Sequence, residues 1–272
     1  MDNFKKLRVM AYNVRNNSDV PPNSWLERKE LILKLLLRES PDIIGTQECV
    51  HVQIQDMNAM LPDYDVIGQG RNGGNKGEYT AIYFKKNRFK VLEYDYFWLS
   101  DTPDIIASCS WGNDVTRMVT WVRFHDRVTD QQFYLLNTHL DHISENARKE
   151  AAKLIIKKVS DFDQVLPIIL TGDFNTDANT EPHKVLLEQG KFIDTWDTAT
   201  SRINEELGTF NDFNDPTGGK ERIDWILYRG SVETTLIQII NDQPNGQFPS
   251  DHFPVMVDLQ FQRICNEKTC GK

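Results

Sequence analysis

The chain has 272 residues, 39% hydrophobic, 10% aromatic and 26% charged, which excludes disordered and fibrous classes and allows a sizeable core. Its 31 Lys+Arg against 40 Asp+Glu leave a formal charge of −9, which opposes long-range attraction to nucleic acid or anionic lipid and excludes a generic polyanion binder. The first residues carry no signal-like apolar stretch, and the longest greasy run, 31–37, is broken by Lys34, so a soluble, cytoplasmic protein without membrane insertion is expected.

In chain order, 7–13 predicts a strand ending on Asn13. A helix follows from Ser24, where Ser24-x-x-Glu27 forms a capping box and Leu26, Leu31, Ile32, Leu35 and Leu36 supply an apolar face, until Pro41 stops it. Residues 42–48 predict a short strand ending on Glu48. After a Gly/Asn-rich loop at 68–77, the runs 79–84 and 89–94 carry a hairpin signal, and strands are expected at 118–124 and 133–139, the latter closing on His139. The span 144–160 predicts a helix with Ala147, Ala151, Leu154, Ile155 and Val159 on one face and Glu145/Lys149 as an i,i+4 pair. A buried strand over 165–173 delivers Asp173. A Thr180-capped helix with Pro182 in its first turn precedes strands near 223–228, 233–240 and 253–260. Short strands outnumber helices and no linker interrupts them, so one layered α/β unit is expected over 1–262, with 263–272 as a polar tail. Cys265 and Cys270 share that tail, and the spacing without an accompanying His or second pair predicts reduced thiols.

Six places share one design, an apolar strand meeting a carboxylate, amide or imidazole: Asn13, Gln47-Glu48, Asn137-Thr-His139, Gly172-Asp173-Phe-Asn175, Arg222-Ile-Asp224 and Ser250-Asp251-His252. Acids beside buried strands are costly unless they bind a cation, pair, or accept several hydrogen bonds. Glu48, Asp173, Asn175 and Asp251 are hard oxygen donors suited to Mg²⁺, Mn²⁺ or Ca²⁺ rather than zinc. His139 and His252 suit proton donation or contact with a phosphate, each with an acidic partner to fix its tautomer, for which Asp224 and Glu78 are the candidates.

This ordered set resembles the endonuclease/exonuclease/phosphatase superfamily, the deoxyribonuclease I-like fold, from Leu7 to Leu259. The resemblance implies a four-layer α/β sandwich, two mostly antiparallel sheets face to face with helices outside. It also implies phosphate-ester hydrolysis with Mg²⁺ or Mn²⁺. By motif position, Glu48 is the implied main metal ligand with Asn13 and Asp251 close by. Asp173 orients and deprotonates water, Asn175 donates to a phosphate oxygen, His252 held by Asp224 stabilises developing charge, and His139, held by Glu78, contacts the phosphate from the other side. The stretch 97–103 with Trp111 and 117–121 resembles a bacterial branch of that superfamily.

Arg117 and Arg148 suit either a substrate phosphate or a surface ion pair. Asp212 and Asp215 read as a solvated loop or a second cation site, His142 as a helix cap, and Trp225 as core or pocket lining. The longest basic runs are pairs, such as Lys85-Lys86, with no long insert to grip a duplex. A small phosphate ester is therefore the expected substrate, ahead of single-stranded nucleic acid or a 3′ end, and ahead of a catalytically silent scaffold retaining the fold.

Overall fold

The computed structural model describes residues 6–262, so Cys265, Cys270 and the tail lie outside the described residues. The elements are β1 (Leu7–Asn13), α1 (Trp25–Glu39), β2 (Ile43–Cys49), α2 (His51–Met60), β3 (Tyr64–Ile67), β4 (Tyr79–Lys85), β5 (Phe89–Trp98), β6 (Met118–Asp126), β7 (Gln131–His139) and α3 (Glu145–Val159). They continue with β8 (Ile168–Asp173), α4 (Glu181–Lys184), β9 (Ile193–Asp194), α5 (Thr195–Thr198), β10 (Ser201–Ile203), β11 (Asp224–Arg229), β12 (Val232–Ile239) and β13 (Val255–Phe261). A seven-stranded sheet runs β10-β12-β13-β1-β2-β4-β3 and a six-stranded sheet β5-β6-β7-β8-β11-β9.

Three apolar layers hold the sandwich. Between the sheets, Val9, Ile43, Ile82 and Phe84 meet Val122, Phe133, Leu135 and Ile226. Outside one sheet, Ile32, Leu35, Ile54 and Met57 of α1 and α2 cover Met10, Ile44 and Tyr83. Outside the other, Ala151, Ile155 and Val159 of α3 cover Leu136, Leu170 and Leu227. The expected four layers are therefore present.

Several local expectations are corrected. Strands β4 and β5 do not form a hairpin: β4 pairs with β2 and β3, whereas β5 pairs with β6 in the opposite sheet. The reason is burial on both faces of β4, which takes a partner on each edge, while Phe84 and Phe89 each pack a ring against Phe124 as the chain crosses between sheets. In α1, Leu26 is exposed and Trp25 and Arg28 are buried instead. The Ser24 hydroxyl donates to Glu27 at 2.8 Å rather than capping a backbone N–H. Thr180 likewise makes no side-chain cap, its hydroxyl donating to the Asp177 carbonyl. Lys149 pairs with Glu181 at 2.9 Å, not with Glu145. Helix α2 and strand β3 have no counterpart in the sequence reading.

A polar tie joins the sheets. Asn137 on β7 donates to the Thr46 and Ala81 carbonyls at 2.8 and 3.0 Å, and its Oδ1 accepts from Gln47 and Thr171. Every bonding group of that buried amide is used, which locks the two sheets in one relative position. Gly45 faces this contact, where a Cβ would collide with the Thr171 hydroxyl and the Asn137 amide oxygen. Gly45→Ala is expected to lower stability by about 2–3 kcal/mol, read as an earlier urea midpoint; an unchanged midpoint would contradict the tie.

Candidate active site

The parallel pairs β1/β2 and β7/β8, each bridged by a helix, end at the same end of the sandwich. Register aligns Asn13 with Gln47 in one sheet, and His139 with Asp173 and Asp173 with Asp224 in the other. His252 lies just before β13 and forms an isolated bridge with Phe210.

At the centre is Asp173, 1% exposed. Its carboxylate accepts from Asn13 Nδ2 and from the Asn175 backbone N–H, both at 2.9 Å, and lies 3.4 Å from His139 Nε2 and 3.7 Å from His252 Nε2. His252 Nδ1 meets Asp224 Oδ2 at 2.9 Å. Asn13 Nδ2 also donates to Glu48 at 2.9 Å, so this amide presents its nitrogen, not its oxygen, to the two acids. Glu48 and Asn175 both hold left-handed backbone, φ +66° and +50°. Such a conformation costs about 1–2 kcal/mol. At Glu48 it coincides with a break in the β2/β4 register, which turns the carboxylate out of the ladder.

Burial drives the electrostatics. It pushes the Asp173 carboxyl up to about 7, a shift added to by Asp224 and opposed by His252. Burial also raises the Asp251 carboxyl. His252 is raised well above an ordinary imidazole: burial opposes the charge, but Asp224 and Asp173 outweigh it. His139 is held well below, by burial first and then by Arg117 and His252. The two rings are thus biased in opposite directions, His252 toward its charged form and His139 toward its neutral form.

The cleft over these groups has a volume of about 310 Å³ and is lined by Glu48, Asp173, Asn175, Asp251, His139 and His252 with Arg15, Arg71, Arg117, His142 and Phe210. Asn13 and Asp224 support it from beneath. Arg148 is corrected: its guanidinium donates to the Asp141 carbonyl at 2.9 Å and does not line the cleft. Glu78 lines the cleft but pairs with Arg71 at 2.6 Å and Asn16 at 3.2 Å, with no hydrogen bond to His139. Asp141, not His142, receives the N–H groups leading into α3, and His142 faces Arg117 at 3.1 Å. Trp225 is fully buried and stacks on Phe174. Asp215 accepts from its own loop, at Thr217 and Gly219.

Arg15, Arg28, Arg71 and Phe210 had no signal in the sequence. Arg15 Nη1 lies 3.4 Å from Asp251 and 3.9 Å from Glu48. Phe210 is 41% exposed and packs edge-on against His252. Arg28, fully buried, donates to the carbonyls of Val14, Arg15, Asn16, Asn23 and Pro249. It thereby ties the loop after Asn13 to the one before Asp251. A capping-box reading of α1 could not distinguish this inward Arg from a solvated one.

The donors fit a hard divalent cation. Glu48, Asp173 and His139 each offer an atom within 4.8 Å of the others. On the Glu48 and Asp251 side, Arg15 is the one arginine or lysine within ion-pair distance among the described residues, which leaves the acids room for a further cation. No helix among the described residues is long and apolar enough to cross a membrane.

Comparison with known proteins gives a consistent result. The chain is similar to an endonuclease/exonuclease/phosphatase family protein from Bacteroides thetaiotaomicron, with 35% identity, a TM-score of 0.90, and 94% of this chain and 98% of that chain covered. It is equally similar to a mannosyl-6-phosphatase of the same organism, at 35% identity and a TM-score of 0.89 over 94% and 100% of the two chains. The human Nocturnin catalytic domain shares the fold at 20% identity and a TM-score of 0.75, over 95% of each chain. Among curated sequences, an uncharacterised mimivirus protein is 36% identical over 56% of this chain, and mouse Nocturnin 25% identical over 96%. The matched stretches span 60% and 67% of those two proteins. Residues 10–252 match the Endonuclease/Exonuclease/phosphatase family, and the chain, with its deoxyribonuclease I-like sandwich, belongs to that family of phosphoesterases and nucleases.

Proposed function

We propose that the chain is a divalent-metal-dependent phosphoesterase that hydrolyses a small phosphate ester. The observation that carries this reading is the buried Asp173 carboxylate, set among Asn13, Glu48, His139 and the Asp224–His252 pair at the floor of an open cleft. The similarity to a mannosyl-6-phosphatase over nearly the whole chain supports a small substrate. So does the net charge of −9, which works against a long polyanion.

Glu48, with Asp251 close by and Asn13 Nδ2 donating to it, would hold Mg²⁺ or Mn²⁺. The ion supplies Lewis acidity toward a phosphate oxygen when bound. Asp173 takes the proton of the attacking water, its carboxyl near 7 being matched to that task. His252, a cation held at Nδ1 by Asp224, offsets the negative charge that develops on phosphoryl oxygens. Asn175 donates one amide hydrogen to the Leu140 carbonyl, which aims the other at the phosphate. His139, biased toward its neutral form, and Arg117, which line one recess of the cleft together, face the same phosphate.

Phosphate release from small esters is expected with Mg²⁺ or Mn²⁺ and not in chelator. Glu48→Gln should lose the metal stimulation while unfolding like the wild type; full metal-stimulated activity in that variant would contradict the ligand role. Asp173→Asn and His252→Ala should each lower kcat by about 10²–10⁴, and normal rates in both would rule out the mechanism.

The raised Asp173 carboxyl also sets a stability trend. A group raised on folding contributes stability below its ordinary value near 3.8 and loses it as pH rises through about 7. Asparagine removes that loss. In chelator, the unfolding temperature of Asp173→Asn should therefore gain on the wild type as pH rises from 4 to 8, by roughly 5 °C. A difference independent of pH would show that the burial cost is absent.

A further inference from the structure

We infer that Arg71 and Arg117 form an anion clamp that reads the terminal dianion of a phosphomonoester, making the site a monoesterase rather than a diesterase. This rests on the phosphoesterase reading above.

The two guanidinium groups line the same cleft as Glu48, Asp173 and Asp251, and together with Glu78 and His139 they also line one smaller recess that adjoins it. Arg117 is only 5% exposed. Its Nη2 meets His142 Nδ1 at 3.1 Å, and its Nε is buried with no hydrogen-bond partner. Among the described residues no carboxylate lies within ion-pair distance of it, whereas the fully buried Arg28 saturates carbonyls and the half-buried Arg88 pairs with Asp42 and Asp126. Burial first, and then the neighbouring Arg71 charge, oppose its protonated form. An unpaired buried guanidinium beside a second one is costly in the free protein. An anion arriving between them removes that cost, and a phosphate matches the planar fork geometry.

Arg71 is positioned for this from the loop between β3 and β4. Its N–H donates to the Glu78 carbonyl at 2.8 Å, its carbonyl accepts the Trp98 indole N–H at 2.6 Å, and its side chain is steadied by Glu78. The preceding Gly70 approaches the Lys76 backbone so closely that no Cβ fits. The loop is thus a hydrogen-bonded platform that presents one arginine.

Charge counting selects the monoester. At neutral pH a phosphomonoester carries close to two negative charges, its second pKa being about 6, on three oxygens outside the ester bridge. A diester carries one charge on two such oxygens, its third oxygen bearing a second substituent. With Glu48, Asp173 and Asp251 serving the cation and His252, and Arg71 steadied by Glu78, the remaining N–H groups of Arg71 and Arg117 provide donors for the other oxygens of a dianion and oversupply those of a diester.

The test is hydrolysis of para-nitrophenyl phosphate and bis-para-nitrophenyl phosphate, with Mg²⁺ or Mn²⁺, by wild type, Arg71→Ala and Arg71→Lys. The wild type should favour the monoester. Arg71→Ala should lower the monoester-to-diester ratio of kcat/KM by about tenfold or more and weaken inhibition by inorganic phosphate similarly. Arg71→Lys, which keeps the charge but loses the fork, should fall between. A diester preference in the wild type, or an unmoved ratio in the variants, overturns the clamp while leaving the phosphoesterase reading intact. Inactivity of the wild type on both compounds and on a panel of sugar and nucleotide phosphates overturns both. If Arg71→Ala fails to fold, as its unfolding curve would show, the Arg71→Lys ratio decides alone.

Discussion

A buried carboxylate with more hydrogen-bonding demand than charge compensation is the constraint around which this molecule is organised. Asp173 sits at the end of a fully buried strand, where its ionised form is disfavoured, and neighbouring Asp224 makes that worse. The cationic His252 compensates in part, but that ring is itself committed to Asp224. Asn13, reaching across from the other sheet, joins Asp173 to Glu48 through a single amide nitrogen. The free protein thus stores unfavourable charge in the cleft, which on the proposed reading a cation and an anionic ester relieve, the usual exchange of stability for activity.

The fold makes this economical in chain length. Each of two strand-helix-strand crossovers leaves polar strand ends on one rim, β1 with β2 and β7 with β8. Packing the sheets face to face brings those rims together. Asn137 sets their relative position through three hydrogen bonds to the other sheet, and Arg28 fixes the two loops that carry the remaining groups. The resulting cleft carries both signs of charge, with Arg15 beside Glu48 and Asp251, Arg71 beside Glu78, and Arg117 without a carboxylate at ion-pair distance among the described residues. That local arrangement is invisible in the total of −9.

What was legible in the sequence were the residues forced by strand geometry. An apolar run ending in Glu48, His139 or Asp173 needs only period and burial to be noticed, and the ordered motifs then gave the fold. Pairing between sheets was not legible: 79–84 and 89–94 have hairpin composition, yet a strand buried on both faces takes neighbours that sequence proximity does not name. Helix α2 escaped because its buried face is small, with Gln53, Ile54 and Met57 inward among polar neighbours. The arginines were the hardest. Arg15, Arg28, Arg71, Arg117 and Arg148 look alike in composition, but one saturates carbonyls, one steadies a loop and three line the cleft. Only the partner on each guanidinium separates them.

The central claim is that a divalent cation completes the buried acidic site, and the most direct measurement is the unfolding temperature of chelator-treated protein against added Mg²⁺ or Mn²⁺ between pH 5 and 8. A cation that binds only the folded chain adds about 2.7 kcal/mol at a hundredfold excess over Kd. It competes with protons for the carboxylates, so the rise should grow with pH as Asp173 ionises. Unfolding curves that coincide with and without the cation at every pH would contradict the claim.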